Sequence, residues 1–133
     1  MRKLFALAVV FIMVMSMSVV AFATGADVNE TGTLRGVEST TFSGNSGEIP
    51  LTISYNMTTN MYISIAGAPN DLFYVTLKKG NTIIATLNLF GVGEYQQLTL
   101  NKWLTSGDYN VYISQYTYNN TGYKYAVVKW YEE

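Results

Sequence analysis

Apolar and polar side chains alternate with a period of two along most of the chain after residue 50. Leu51, Ile53 and Tyr55 alternate with Thr52 and Ser54, and Met61, Ile63 and Ile65 with Tyr62 and Ser64. Phe73, Val75 and Leu77 alternate with Tyr74, Thr76 and Lys78, and Ile83, Ala85, Leu87 and Leu89 with Ile84, Thr86 and Asn88. Tyr109, Val111 and Ile113 stand opposite Asn110, Tyr112 and Ser114; Ala126, Val128 and Trp130 stand opposite Tyr125, Val127, Lys129 and Tyr131. This pattern predicts strands that turn one face to a core and the other to water. No stretch of this part holds a long helical period.

Turn residues separate the runs. Lys79-Gly80-Asn81 predicts a hairpin turn, where glycine supplies a positive φ. Ala68-Pro69-Asn70-Asp71 reads as a second turn, Gly91-Val92-Gly93 ends a strand, Ser106-Gly107-Asp108 precedes one, and Asn119-Asn120-Thr121-Gly122 divides the last two. Phe42 to Glu48 reads as a polar, glycine-containing loop, and Gly32 to Phe42 as an irregular, bulged first strand. About seven to nine strands at a spacing of about 8–12 residues predict an all-β domain. The expected architecture is a two-sheet antiparallel sandwich, jelly-roll or immunoglobulin-like, with a small closed barrel as its competitor.

The first 23 residues have a different character. Arg2 and Lys3 precede an apolar run from Leu4 to Val20, and Ala21-Phe22-Ala23 supplies the small-x-small site of a signal peptidase. Residues 1–23 are therefore expected to be a cleavable signal peptide cut after Ala23. The rival is a retained membrane anchor, since the run approaches spanning length. Residues 24–133 then form a single domain with a loose tail at 24–31 and no further membrane span, secreted or associated with the cell surface.

Composition narrows the chemistry. Without Arg2 and Lys3, six basic side chains face nine acidic ones. A mildly acidic, charge-poor surface argues against nucleic acid, which needs clustered Lys and Arg. There is no cysteine, so no disulfide, and no histidine. Ser-His-Asp, Cys-His and His-ligated zinc sites are excluded. Carboxylates remain: Glu48 and Glu94 are a pair that could meet in space, but no motif supports a carboxylate hydrolase. No cofactor or metal site is expected. Asp71 and Asp108 would have to hold a structural calcium from loops at one end; no motif supports this, and turn roles account for both.

The segments Leu98-Thr99-Leu100 and Leu104 to Ile113, with the Val75 to Asn81 hairpin, resemble bacterial pre-peptidase C-terminal domains. The resemblance spans residues 50–115. It implies a jelly-roll-like sandwich acting as a stand-alone accessory or binding module, and it brings no catalytic residues.

Tyrosine is the distinctive residue. Eight aromatics fall between Tyr109 and Tyr131. Regular strands would place Tyr112, Tyr116 and Tyr118 on one face and Tyr123, Tyr125 and Tyr131 on another, joined as one outward aromatic surface. Such a surface seats a protein or stacks on carbohydrate rings, while tyrosines in exposed sheets also stabilise the sheet itself. The expected protein is a non-catalytic binding or surface-associated module. Its alternatives are a self-assembling extracellular subunit, a carbohydrate-binding module and a carboxylate-dependent hydrolase.

Overall fold

A computed structural model describes residues 32–116 and 122–133. The strands are β1 (Thr33–Phe42), β2 (Ser46–Ile53), β3 (Met57–Ala66), β4 (Ala68–Lys79), β5 (Thr82–Gly91), β6 (Gln96–Leu104), β7 (Gly107–Gln115) and β8 (Lys124–Glu132). They form two antiparallel four-stranded sheets. Sheet A has the order β1-β8-β3-β6 and sheet B the order β2-β7-β4-β5. This is jelly-roll topology: one long hairpin, folded at the β4–β5 turn and rolled up so that β1 meets β8, β2 meets β7 and β3 meets β6. Gly80, at φ +60°, makes the tip. Every connection except that hairpin passes from one sheet to the other.

The inward faces follow the alternation. Ile49, Leu51, Ile53, Met61, Ile63, Ile65, Phe73, Val75, Leu77, Val111, Ile113, Ala126 and Val128 make one continuous core between the sheets. Burial of this kind contributes about 25 cal/mol per Å² of apolar surface removed from water.

Three local expectations change. Ala68 to Asp71 begins β4 instead of forming a turn, with its pairing to β5 irregular between Ala68 and Leu72. Ile83 is exposed while Ile84 packs against the core, because a bulge between Leu77 and Lys78 resets the alternation. Tyr62, Ser64, Val127, Lys129 and Tyr131, expected to face water, are buried. They lie on the side of sheet A away from the core. Tyr95, from the β5–β6 connection, packs with Tyr62, Val127 and Tyr131 there, and its ring lies 4.4 Å from the Lys129 Nζ. Alternation assigns a side chain to a side of the sheet; it does not say whether that side is covered.

The four edge strands are each blunted. β1 carries a bulge between Leu34 and Gly36 and β2 carries Pro50, which has no N–H to offer. On β5 the Ile84 carbonyl accepts a hydrogen bond from the Lys102 ammonium. In β6, Asn101 has a positive φ of 52° and the register to β3 slips twice. The broken β3–β6 ladder is patched by side chains: the Thr99 hydroxyl accepts from the Met61 N–H, and the buried Asn60 amide oxygen accepts from the Asn101 N–H.

Candidate functional site

The tyrosines expected to form one surface belong to two sheets. Tyr112 and Tyr116 lie on the outer face of sheet B, whereas Tyr125 and Tyr131 belong to β8 of sheet A. Tyr131 is only 2% exposed, edge-to-face with Tyr62 at 5.7 Å, so it offers no contact surface in this structure. Tyr125 is half-buried and Tyr123, just before β8, is exposed. Tyr118, Ala21 and Ala23 lie outside the described residues. The single surface fails because the chain crosses between sheets from β7 to β8.

What remains on sheet B is larger than its two predicted members. Residues directly opposite on antiparallel strands share a face. Glu48, Tyr112, Thr76 and Thr86 form one cross-strand row, and Ser46, Ser114, Tyr74 and Asn88 form the next. Phe90 projects to the same side as Asn88. Tyr74, Tyr112, Tyr116 and Phe90 are all exposed, at 36%, 37%, 57% and 54%. The Tyr74 and Tyr116 rings meet at 6.1 Å and 60°, and the Tyr116 hydroxyl donates to the Asn88 side-chain oxygen at 3.1 Å. The Lys78 ammonium sits 5.4 Å from the Tyr112 ring centroid. These contacts hold the rings in place before any partner arrives. The platform is aromatic at its centre and framed by hydroxyls and amides.

At one end the same face runs into a cleft of about 480 Å³ between the edge strands β1 and β2. Pro50, Thr52, Asp108 and Asn110 form its sheet B rim, and Arg35, Gly36, Val37 and Glu38 its β1 wall. Glu38 pairs with Val128, a core residue, and so points towards the space between the sheets. Gly36 is required there by contact: a Cβ would lie 2.1 Å from Cζ2 of the Trp130 indole. The β1 bulge delivers Arg35 to Glu132, whose Oε1 accepts from the Arg35 Nε at 2.8 Å and from the Tyr55 hydroxyl. The Tyr55 hydrogen bond, then Arg35, hold the Glu132 carboxyl below its ordinary range, and the same bond to Glu132 raises the Tyr55 phenol. Arg35 is thereby paired, leaving Glu38 and Asp108 as the cleft's carboxylates without an ion pair, with Lys78 opposite Asn110 as the nearest cation on the same face. Asp108 accepts from the Thr52 hydroxyl at 2.9 Å.

No protein-family model matches the chain, and no curated protein matches it. A solved structure does. The crystal structure of Aeromonas hydrophila PliG, a periplasmic lysozyme inhibitor of g-type lysozyme, is similar over 81% of this chain and 95% of that chain, with 17% sequence identity and a TM-score of 0.44.

The other candidate groups do not converge. Glu48 is on β2 and Glu94 is in the β5–β6 connection, so the two lie towards opposite edges of sheet B and do not face each other. Asp71 and Asp108 are at opposite ends of the β4–β7 pair, so they cannot share a calcium ion. Asp71 instead accepts from the Gln115 amide at 2.7 Å in a buried pair. Among the described residues no three His, Cys, Asp or Glu side chains come together to hold a metal, and no helix is long and apolar enough to cross a membrane. Tyr74 and Phe90 were missed as site residues. Their signal was present: each is the aromatic on the polar side of an alternating run.

Proposed function

We propose that the protein is an exported, non-catalytic glycan-binding module whose contact surface is the outer face of sheet B. One observation carries the reading: Tyr74, Tyr112 and Tyr116, held by their side-chain contacts, stand with the exposed Phe90 on a sheet face otherwise lined by Ser46, Ser114, Thr76, Thr86 and Asn88. Sugar rings offer apolar C–H faces to aromatic rings and hydroxyls to amide and hydroxyl side chains. Protein interface cores favour Trp, Phe, Met and Arg beside Tyr and are poor in Ser; of those four this face has Phe90 alone, and it carries Ser46 and Ser114. Strand addition, the route to a self-assembling subunit, is opposed by the blunted edges.

The test is a glycan array probed with protein expressed from the full-length gene, followed by titration of the best hits. Exchange of Tyr112 and Tyr116 for serine should weaken binding at least tenfold without changing the circular dichroism spectrum. Unchanged affinity in that variant, or capture of a protein and no glycan, refutes the reading. Release of a shortened sugar product refutes its non-catalytic part.

A further inference from the structure

The cleft between β1 and β2 continues the aromatic platform, and it differs from the platform in charge. Along β7 the outward residues run Tyr112, Asn110, Asp108, advancing about 6.6 Å for each pair of residues. A chain laid lengthwise on Tyr116 and Tyr112 is therefore carried over Asn110 to Asp108 and into the cleft. There Glu38 projects from the facing strand, Asp108 stands on the rim, and Arg35 is held by Glu132. Pro50 and Leu51 supply apolar wall, and the edge of the Trp130 indole closes the floor. Two carboxylates without a paired cation, beside an aromatic ring, attract a protonated amine. The platform itself carries only Glu48 and Lys78, one charge of each sign.

From this arrangement the geometry points to a glycan bearing a free amino group, with the amino sugar seated in the cleft between Glu38 and Asp108 while rings further along the same chain stack on Tyr112 and Tyr116. The assignment rests on the glycan reading above and narrows it to an amino-sugar chain. Neutral, hydroxyl-only sugars lack the group that the two carboxylates recognise. The N-acetylated form of the same sugar has lost the charge and kept the ring.

The experiment compares two probes of equal length, a glucosamine hexamer and an N-acetylglucosamine hexamer, titrated calorimetrically against protein expressed from the full-length gene. The expected result is a preference of roughly five-fold for the free amine at low salt, the scale of two partly exposed ion pairs. Raising ionic strength to about 0.5 M should erase it, because screening then acts over a few ångströms. Glu38→Gln and Asp108→Asn, both exposed side chains, should each bring the ratio between the probes towards one. Tyr112→Ser with Tyr116→Ser should lower affinity for both probes together. Equal affinity of the native protein for the two probes, or a preference that survives both carboxylate substitutions, overturns the cleft assignment while the platform stands. No binding of either probe overturns this assignment while the array still shows another glycan bound; no binding of either probe together with an empty array overturns the glycan reading as well.

Discussion

Replacing Gly36 by alanine tests whether the β1 edge is fitted to the Trp130 ring. The added Cβ would meet Trp130 Cζ2 at 2.1 Å and both Cε2 and Cη2 at 2.5 Å. Carbon atoms in good contact sit about 3.5–4.0 Å apart, so strand or ring must yield by more than 1 Å. The ring cannot move far, since Trp130 is 95% buried within the main core. β1 must lift, and its ladder to β8 must stretch around the existing bulge. Overpacking of this kind costs about 1–3 kcal/mol. Loss of unfolded-state freedom at alanine returns about 0.4–1 kcal/mol, which leaves a net destabilisation of about 1–2 kcal/mol. For a domain of this length that is a fall in Tm of about 5–15 °C. Urea unfolding followed by circular dichroism measures it in either tryptophan background. The decisive comparison is the same change made beside Trp130→Phe, which removes the benzo atoms that the Cβ would strike. There the cost of Gly36→Ala should shrink by about 1 kcal/mol. A loss below about 0.5 kcal/mol in the native background, or an equal loss in both backgrounds, would show that the ring does not dictate the glycine.

Two further outcomes follow from buried and paired hydroxyls. The Tyr95 hydroxyl is buried without a hydrogen-bond partner, although Ser64 lies beside it, and burial pushes its phenol up to about 12. Tyr95→Phe should therefore raise stability by about 1 kcal/mol in urea unfolding, since an unsatisfied polar group is removed. A phenol whose folded pKa is raised contributes stability present below about pH 10 and lost as pH rises towards about 12. The native protein should accordingly lose stability across that window, and the phenylalanine variant should lose less. Tyr55→Phe removes the donor that does most to hold the Glu132 carboxyl down. Its carboxyl titration, followed by carbon NMR, should move up towards the ordinary glutamate range. In the native protein the depressed value contributes stability that fades as pH falls through it, so the variant should show a weaker acid dependence. An unmoved Glu132 titration would mean that Arg35 alone sets it.

The strands of this jelly roll were legible where one face is dry and the other wet. Ile49, Leu51 and Ile53 on β2 and Phe73, Val75 and Leu77 on β4 are inward as their alternation requires. Lys79-Gly80-Asn81 is the tip of the roll because only there do consecutive strands pair within one sheet. The partnership of strands was not legible. Tyr112 and Tyr131 belong to consecutive strands of similar composition, yet one faces solvent on sheet B and the other is buried on sheet A. No local pattern encodes that, because the choice is made by β8 pairing with β1 and β3, which are distant in sequence. The register reset at Ile83 and Ile84 is similarly invisible, since a bulge adds a residue without changing composition.

The two sheets have come to differ in what they can offer a partner. Sheet A buries both faces of its central strands β3 and β8: their inner residues enter the main core, while Tyr62, Lys129 and Tyr131 pack beneath Tyr95 on the other side. Tyr131 is committed to that packing. Sheet B keeps the simple alternation, and β7 shows it most plainly, with Tyr109, Val111 and Ile113 inside and Tyr112, Ser114 and Tyr116 outside. Its tyrosine rings are tied through Tyr74, Asn88 and Lys78, so less side-chain entropy remains to be lost on contact. Edge pairing is closed off by Pro50, the β1 bulge and the Lys102 bond to Ile84. A partner is therefore directed to the open face of sheet B, where the tyrosine rings are already held, and along it to the one end at which carboxylates without an ion pair give the surface a direction.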